Sequence, residues 1–158
     1  MRSSSPRRPR GFADWAALAE AWWCLLAVDL CLRLFPYPRV ERLFGRAPRE
    51  GSRPAGASGV ARCVWAAGAA SRHHLWPMRC LARSLCLRRL LARRGIGATL
   101  RIGVAREGDR LLAHAWIEWE GRPLGEGESI ARFEPLLGAE EADRAASLLS
   151  RGSERAAR

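Results

Sequence analysis

From Phe12 to Phe35 apolar side chains dominate, among them Trp15, Leu18, Trp22, Trp23, Leu25, Leu26, Val28, Leu30, Leu32 and Leu34. Glu20, Asp29 and Arg33 interrupt the run, and each would cost about 2.5–3.5 kcal/mol near the middle of a bilayer. The unbroken part, Ala21 to Val28, is too short to span one. The pattern therefore predicts a core helix, with contact at a membrane surface as the lesser alternative. Asp14 stands at its N-cap position, and Pro36 and Pro38 stop it. Val40, Leu43 and Phe44 support a short second helix before Gly45. Ala47 to Gly59, rich in Pro, Gly and Ser, reads as an exposed loop. Val60 to His74 is a third helix, with His73 and His74 at the end where positive charge suits the helix dipole.

The clearest helix runs from Arg79 to Arg94. Pro77 precedes it, Gly95 is a natural C′ residue, and Arg93 and Arg94 occupy the last turn. Cys80, Ser84, Leu87 and Leu91 share one face, which Leu81 and Leu85 widen. After Gly97 the period falls to two. Leu100, Ile102 and Val104 alternate with Thr99, Arg101 and Gly103, the signature of a half-buried strand. Arg106 to Arg110 makes a hairpin turn. Leu112, His114 and Trp116 then line one face of a second strand, with Ala113, Ala115, Ile117 and Trp119 on the other. Glu120-Gly121 turns the chain into a third strand, Arg122 to Gly125, which hands over to Glu126. A last helix is expected over Gly138 to Leu149. The fold class is α+β, a helix packed on a small antiparallel sheet with a helical region ahead of it. The divisions expected are a tail at 1–11, a helical region and loop at 12–59, the core at 60–138, and a helix and frayed tail at 139–158.

A chain of 158 residues, 48% apolar with seven Trp, can bury a core of its own. All 27 basic residues are Arg, and the formal net charge is +11. Arg, Ala and Gly share GC-rich codons, so the Arg count itself suits a GC-rich bacterial genome, while the net charge still favours acidic partners such as nucleic acid, anionic lipid or an acidic peptide. The charge is spread over helices and tails without the basic-aromatic array of an RNA-binding sheet, so no nucleic-acid partner is expected. Five cysteines, an odd number without a CxxC spacing, argue against a disulfide framework or zinc knuckle. The adjacent histidines face different ways, so no metal is expected. With no export signal and no transmembrane segment, a reducing cytoplasm is the expected compartment.

Cys80 carries the candidate chemistry. A thiol in the first turn of a helix, beside Arg79 and Arg83, is drawn toward thiolate by dipole and charge. Cys86, well inside the helix, has no such help. His114, in an otherwise apolar strand, could take the thiol proton and return it to a leaving group. A helix packed on a hairpin would set the cysteine over one strand's inner face. A carboxylate must then fix the imidazole. Glu126 follows His114 through one tight turn, Glu128 is a second choice, and Glu118 shares His114's face from farther away.

The run from Arg79-Cys80 to Arg94-Gly95, with Arg101-Ile-Gly-Val104, Ala113-His-Ala-Trp-Ile-Glu118 and Gly121-Arg-Pro-Leu124, resembles the lasso peptide biosynthesis B2 proteins. The likeness extends over roughly Trp15 to Leu137 and is strongest from Arg79 to Leu124. It implies a transglutaminase-like, papain-like core and a cysteine protease that removes the leader from a ribosomally made precursor peptide. It makes Cys80 the nucleophile, His114 the general base and acid, and the Cys80 N–H one oxyanion donor. Glu126 stands where the family usually has Asp. The resemblance also implies a separate B1-type leader-binding protein as partner, the precursor as substrate and a lasso cyclase downstream. No phosphate-binding loop is present, and no cofactor is expected. An acyl transferase of transglutaminase or arylamine acetyltransferase type, and a non-catalytic basic adaptor for the precursor, are the alternatives.

Overall fold

A computed structural model of the chain describes residues 11–45, 48, 56–108, 110–125 and 128–136. In order they form α1 (Phe12–Leu34), α2 (Tyr37–Phe44), α3 (Ala57–Arg72), α4 (Cys80–Ala92), β1 (Thr99–Glu107), β2 (Arg110–Trp119), β3 (Arg122–Leu124), a 3-10 turn (Glu128–Arg132) and β4 (Glu134–Pro135). The strands make one antiparallel sheet in the order β3-β2-β1-β4. This is the expected α+β class. The helix expected over Gly138 to Leu149, most of the loop from Ala47 and both tails lie outside the described residues.

Two apolar clusters join the helices to one face of the sheet. The larger gathers Ala17, Ala21 and Leu25 of α1, Ala66, Ala67 and Ala70 of α3, Leu87, Leu90 and Leu91 of α4, and Ile117 of β2. Small side chains on both α1 and α3 let those helices approach closely. The second unites Val28, Leu32, Tyr37, Val40, Leu81, Ala82, Leu85, Ile102 and Ala115. It brings the first turns of α4 against the middle of β1 and β2.

Asp14 does not cap α1. Gly11 occupies the N-cap position, and Asp14, buried in the first turn, accepts a hydrogen bond from Arg62 Nε of α3 at 2.8 Å. The partner lies 48 residues away, so a local capping rule could not find it. α3 starts at Ala57, ahead of Val60, and ends at Arg72 with His73 as its C-cap. His74 is turned inward, stacked on Trp22 at 4.9 Å between ring centroids, with Trp76 edge-on at 5.4 Å.

The β2–β3 turn is set by Glu120 (φ 51°) and Gly121 (φ 72°), a tight hairpin with two left-handed residues in which Trp119 pairs with Arg122. β4 was not legible as a strand. It is two residues long and contains Pro135, yet it pairs with Gly103 and Val104 of β1, and Leu136 N–H donates to Ile102 O at 2.9 Å.

Candidate active site

α4 begins at Cys80, after Arg79, whose extended backbone (φ −68°, ψ 151°) makes it the N-cap. The first intrahelical bond is Arg83 N–H to Arg79 O at 3.1 Å. The N–H groups of Cys80, Leu81 and Ala82 thus have no helical acceptor, and the positive end of the helix falls on the thiol.

Besides packing on the sheet face, the first turns of α4 reach the backbone of β2 at Ala115. β3 pairs only with Ile117 to Trp119, so the backbone of Ala115 is not covered by it. α4 supplies the missing partners. Ser84 Oγ donates to Ala115 O at 2.9 Å, and Ala115 N–H donates to the Cys80 sulfur. Cys80 and Ser84, one helical turn apart, act as a side-chain substitute for a neighbouring strand. This registers the thiol against residue 115 and so beside His114.

His114 pairs with Gly103 across β1 and shares its face with Trp116 and Glu118. That face is opposite the one bearing Ala115 and Ile117, which packs on the helices. The cysteine expected over a strand's inner face thus meets the face that carries Ala115, while His114 stands on the other. The imidazole, although on the other face of β2, hydrogen-bonds the Cys80 sulfur. Edge docking follows from the brevity of β3, which the hydrophobic pattern does not encode.

The Cys80 thiol is half-buried, and burial raises its pKa. The His114 hydrogen bond, the Ala115 N–H, the imidazole charge and the Leu81 N–H together outweigh burial and hold the thiol below its ordinary value. Cys86 goes the other way. Its hydrogen bond with Cys24 and full burial push it well above the ordinary range, so it stays a thiol at neutral pH.

The imidazole is held from two sides. Trp116 lies nearly parallel to it (centroids 6.3 Å apart, 17° between planes), and Phe133 lies at 5.1 Å. Phe133 carries the Arg132 guanidinium on its ring at 5.1 Å. Trp116 is itself fixed, donating from Nε1 to Glu118 Oε1 at 3.1 Å, while Glu118 Oε2 accepts from Arg101 Nε at 3.0 Å. Glu118 therefore serves Trp116 and Arg101. Glu126 lies outside the described residues, and Glu128 opens the 3-10 turn.

Several supporting residues were invisible to sequence reading. Gly103 is one: a Cβ there would lie 2.9 Å from Trp116 Cη2 and 2.8 Å from Glu134 O. Only the alternation of β1, which put Gly103 on the polar face, hinted at it. Asp29 is another, buried in α1 with Oδ2 accepting from Arg33 Nε (2.7 Å) and Trp76 Nε1 (3.0 Å). It ties the segment leading into Cys80 to the longest helix. Among the described residues no group of three or more His, Cys, Asp or Glu gathers as metal ligands.

A cysteine at a helix start, hydrogen-bonded to a histidine on the adjoining strand, is an arrangement that thiol acyl-transfer chemistry can use. A family model described as the Transglutaminase-like superfamily matches residues 22–138, which include α4 and the whole sheet. The chain belongs to the transglutaminase-like superfamily. No curated protein and no solved structure matches it. The superfamily includes cysteine proteases and acyltransferases, and its fold is usually catalytic, often through cysteine.

Proposed function

We propose that this protein is a cysteine peptidase that removes the leader from a lasso peptide precursor. The observation that carries the chemistry is the Cys80 sulfur, hydrogen-bonded by His114 and by the Ala115 and Leu81 N–H groups and held below the ordinary thiol pKa. The substrate class rests on the Arg79–Leu124 motifs, Ala113-His-Ala-Trp-Ile-Glu118 above all.

In this reading the Cys80 thiolate attacks the scissile carbonyl carbon, and the oxygen's charge is met by the Cys80 N–H at the helix start. The His114 imidazolium then gives its proton to the leaving amine, the C–N bond breaks, and the leader stays as a thioester on Sγ. Water, deprotonated by His114, hydrolyses the thioester and returns the thiolate–imidazolium pair. The freed amine of the core peptide is left for a cyclase to acylate. Glu126, or Glu128 in its place, fixes the imidazole from its second nitrogen. A separate B1-type protein presents the leader, and the reaction runs in the cytoplasm without metal or cofactor.

The test is mass spectrometry of the precursor incubated with wild type or Cys80→Ala, each with and without the leader-binding partner. Release of intact leader by the wild type alone supports the proposal. Cleavage that survives Cys80→Ala removes Cys80 as nucleophile. Amidated rather than hydrolysed leader would make the protein an acyl transferase. Binding without turnover would make it an adaptor.

A further inference from the structure

α1 presents two unlike faces. Its acidic groups lie on the inner face or its flank, each already paired. Asp14 is bound by Arg62, Glu20 by Arg93 and Arg94, and Asp29 by Arg33 and Trp76. The outer face carries Phe12, Trp15, Trp23, Leu30 and Leu34, each more than half exposed, with Ala16, Ala19 and Ala27 exposed between them. These residues recur every three or four positions, so they form one stripe along a helix about 34 Å long. A contiguous apolar surface of this extent on a small domain marks a contact.

The chemistry of the stripe says what the contact is. A specific protein interface carries about one hydrogen bond per 100–200 Å². This face offers only the two indole N–H groups of Trp15 and Trp23. Charge is confined to its ends. Arg2, Arg7, Arg8 and Arg10 precede Phe12 in the sequence, and at the other end Arg39 lies over the half-exposed Phe35 ring at 5.4 Å. An apolar face with indoles, with Arg39 at one end and four arginines just ahead of it in the sequence, on a chain of net charge +11, complements an anionic lipid surface.

We propose that α1 docks this protein flat on an anionic membrane surface, with Phe12, Trp15, Trp23, Leu30 and Leu34 entering the headgroup–acyl boundary and the arginines at the headgroups. The helix has the length and apolarity to cross a bilayer, and a third of its most apolar window is buried in the protein. Spanning would strip Leu25, Val28 and three paired carboxylates from their partners, whereas lying flat leaves the core and Cys80 in place. The proposal is independent of the substrate assigned above.

The experiment is co-sedimentation of the full chain with vesicles of phosphatidylcholine mixed with phosphatidylglycerol, and with phosphatidylcholine alone. Wild type is compared with the double variant Trp23→Glu, Leu30→Glu. A cooperative urea unfolding transition verifies that both are folded. Wild type should bind the mixed vesicles more strongly, binding should weaken with salt, and the double variant should lose about tenfold or more in partitioning. Wild type that stays in the supernatant with both vesicles overturns the proposal. So does a double variant that binds as well as wild type, because charge alone would then carry the contact. A concentration-dependent dimer that the double variant abolishes, without vesicle binding, would give the stripe to a second copy of the chain instead.

Discussion

Replacing Gly103 with alanine should damage the site although residue 103 touches no substrate. The added Cβ would stand 2.8 Å from Glu134 O and 2.9 and 3.0 Å from Cη2 and Cζ3 of Trp116. Ordinary carbon contacts begin near about 3.5 Å, so both neighbours must retreat by roughly half an ångström or more. Neither moves freely. Glu134 is backbone of β4, held to β1 by the pairing of Pro135 with Gly103, and Trp116 is buried with its Nε1 bound to Glu118. Overpacking of this kind costs about 1–3 kcal/mol. Its consequence for chemistry passes through the indole to His114, stacked on it at 6.3 Å. A shift approaching 1 Å in a catalytic group can cost on the order of a hundredfold in rate. Urea unfolding reads the first effect, and iodoacetamide alkylation of Cys80 at neutral pH, followed peptide by peptide, reads the second. Gly103→Ala should lower stability by about 1–3 kcal/mol and slow alkylation at least about tenfold. An unchanged unfolding midpoint would refute the packing argument. Reduced stability with wild-type Cys80 reactivity would show that Trp116 does not hold His114.

Three further perturbations follow from the same geometry. Ser84→Ala leaves the buried Ala115 carbonyl without its 2.9 Å donor, and should cost about 1–3 kcal/mol in urea unfolding while loosening the edge contact that registers Cys80. Asp29→Ala leaves the Trp76 indole N–H without its acceptor, and should destabilise by a similar amount, about 1–3 kcal/mol, with slower alkylation of Cys80. Glu118 tests the electrostatics. Slight burial raises its pKa, but Arg101 and Trp116 donate to the carboxylate and hold it below the ordinary value. A folded-state pKa below the unfolded one gives stability that is complete above about pH 4.3 and disappears as pH falls through the lower folded value. Thermal unfolding of Glu118→Gln across that acid range should therefore show a flatter pH dependence than wild type, and equal slopes would contradict the assignment.

The sequence carried the elements more clearly than their docking. The apolar runs and stop signals around α1 and α4 are strong because they are local, as are the period-two alternation of β1 and β2 and the Glu120-Gly121 turn. Cys80 and His114 were legible for the same reason, each standing out within its own element. The contacts that join elements were not. Asp14 reads as a cap until Arg62, 48 residues on, is brought against it. The approach of α4 to the edge of β2 depends on β3 stopping after three residues. Gly103 reads as a weak strand residue until Trp116 is laid over it. β4 is too short to leave a periodicity, yet its neighbour Phe133 packs on His114.

The pH dependence of Cys80 alkylation, in wild type and in His114→Ala, tests the central claim most directly and needs no substrate. An ordinary thiol with a pKa near 8.5 is only about 3% thiolate at pH 7. Wild-type Cys80 should titrate below that value. In His114→Ala burial remains, opposed only by the Ala115 and Leu81 N–H groups, so the titration should move upward and the rate at neutral pH should fall. A wild-type Cys80 that titrates at or above the ordinary thiol value, or a profile that His114→Ala leaves unmoved, would contradict a Cys80–His114 catalytic pair.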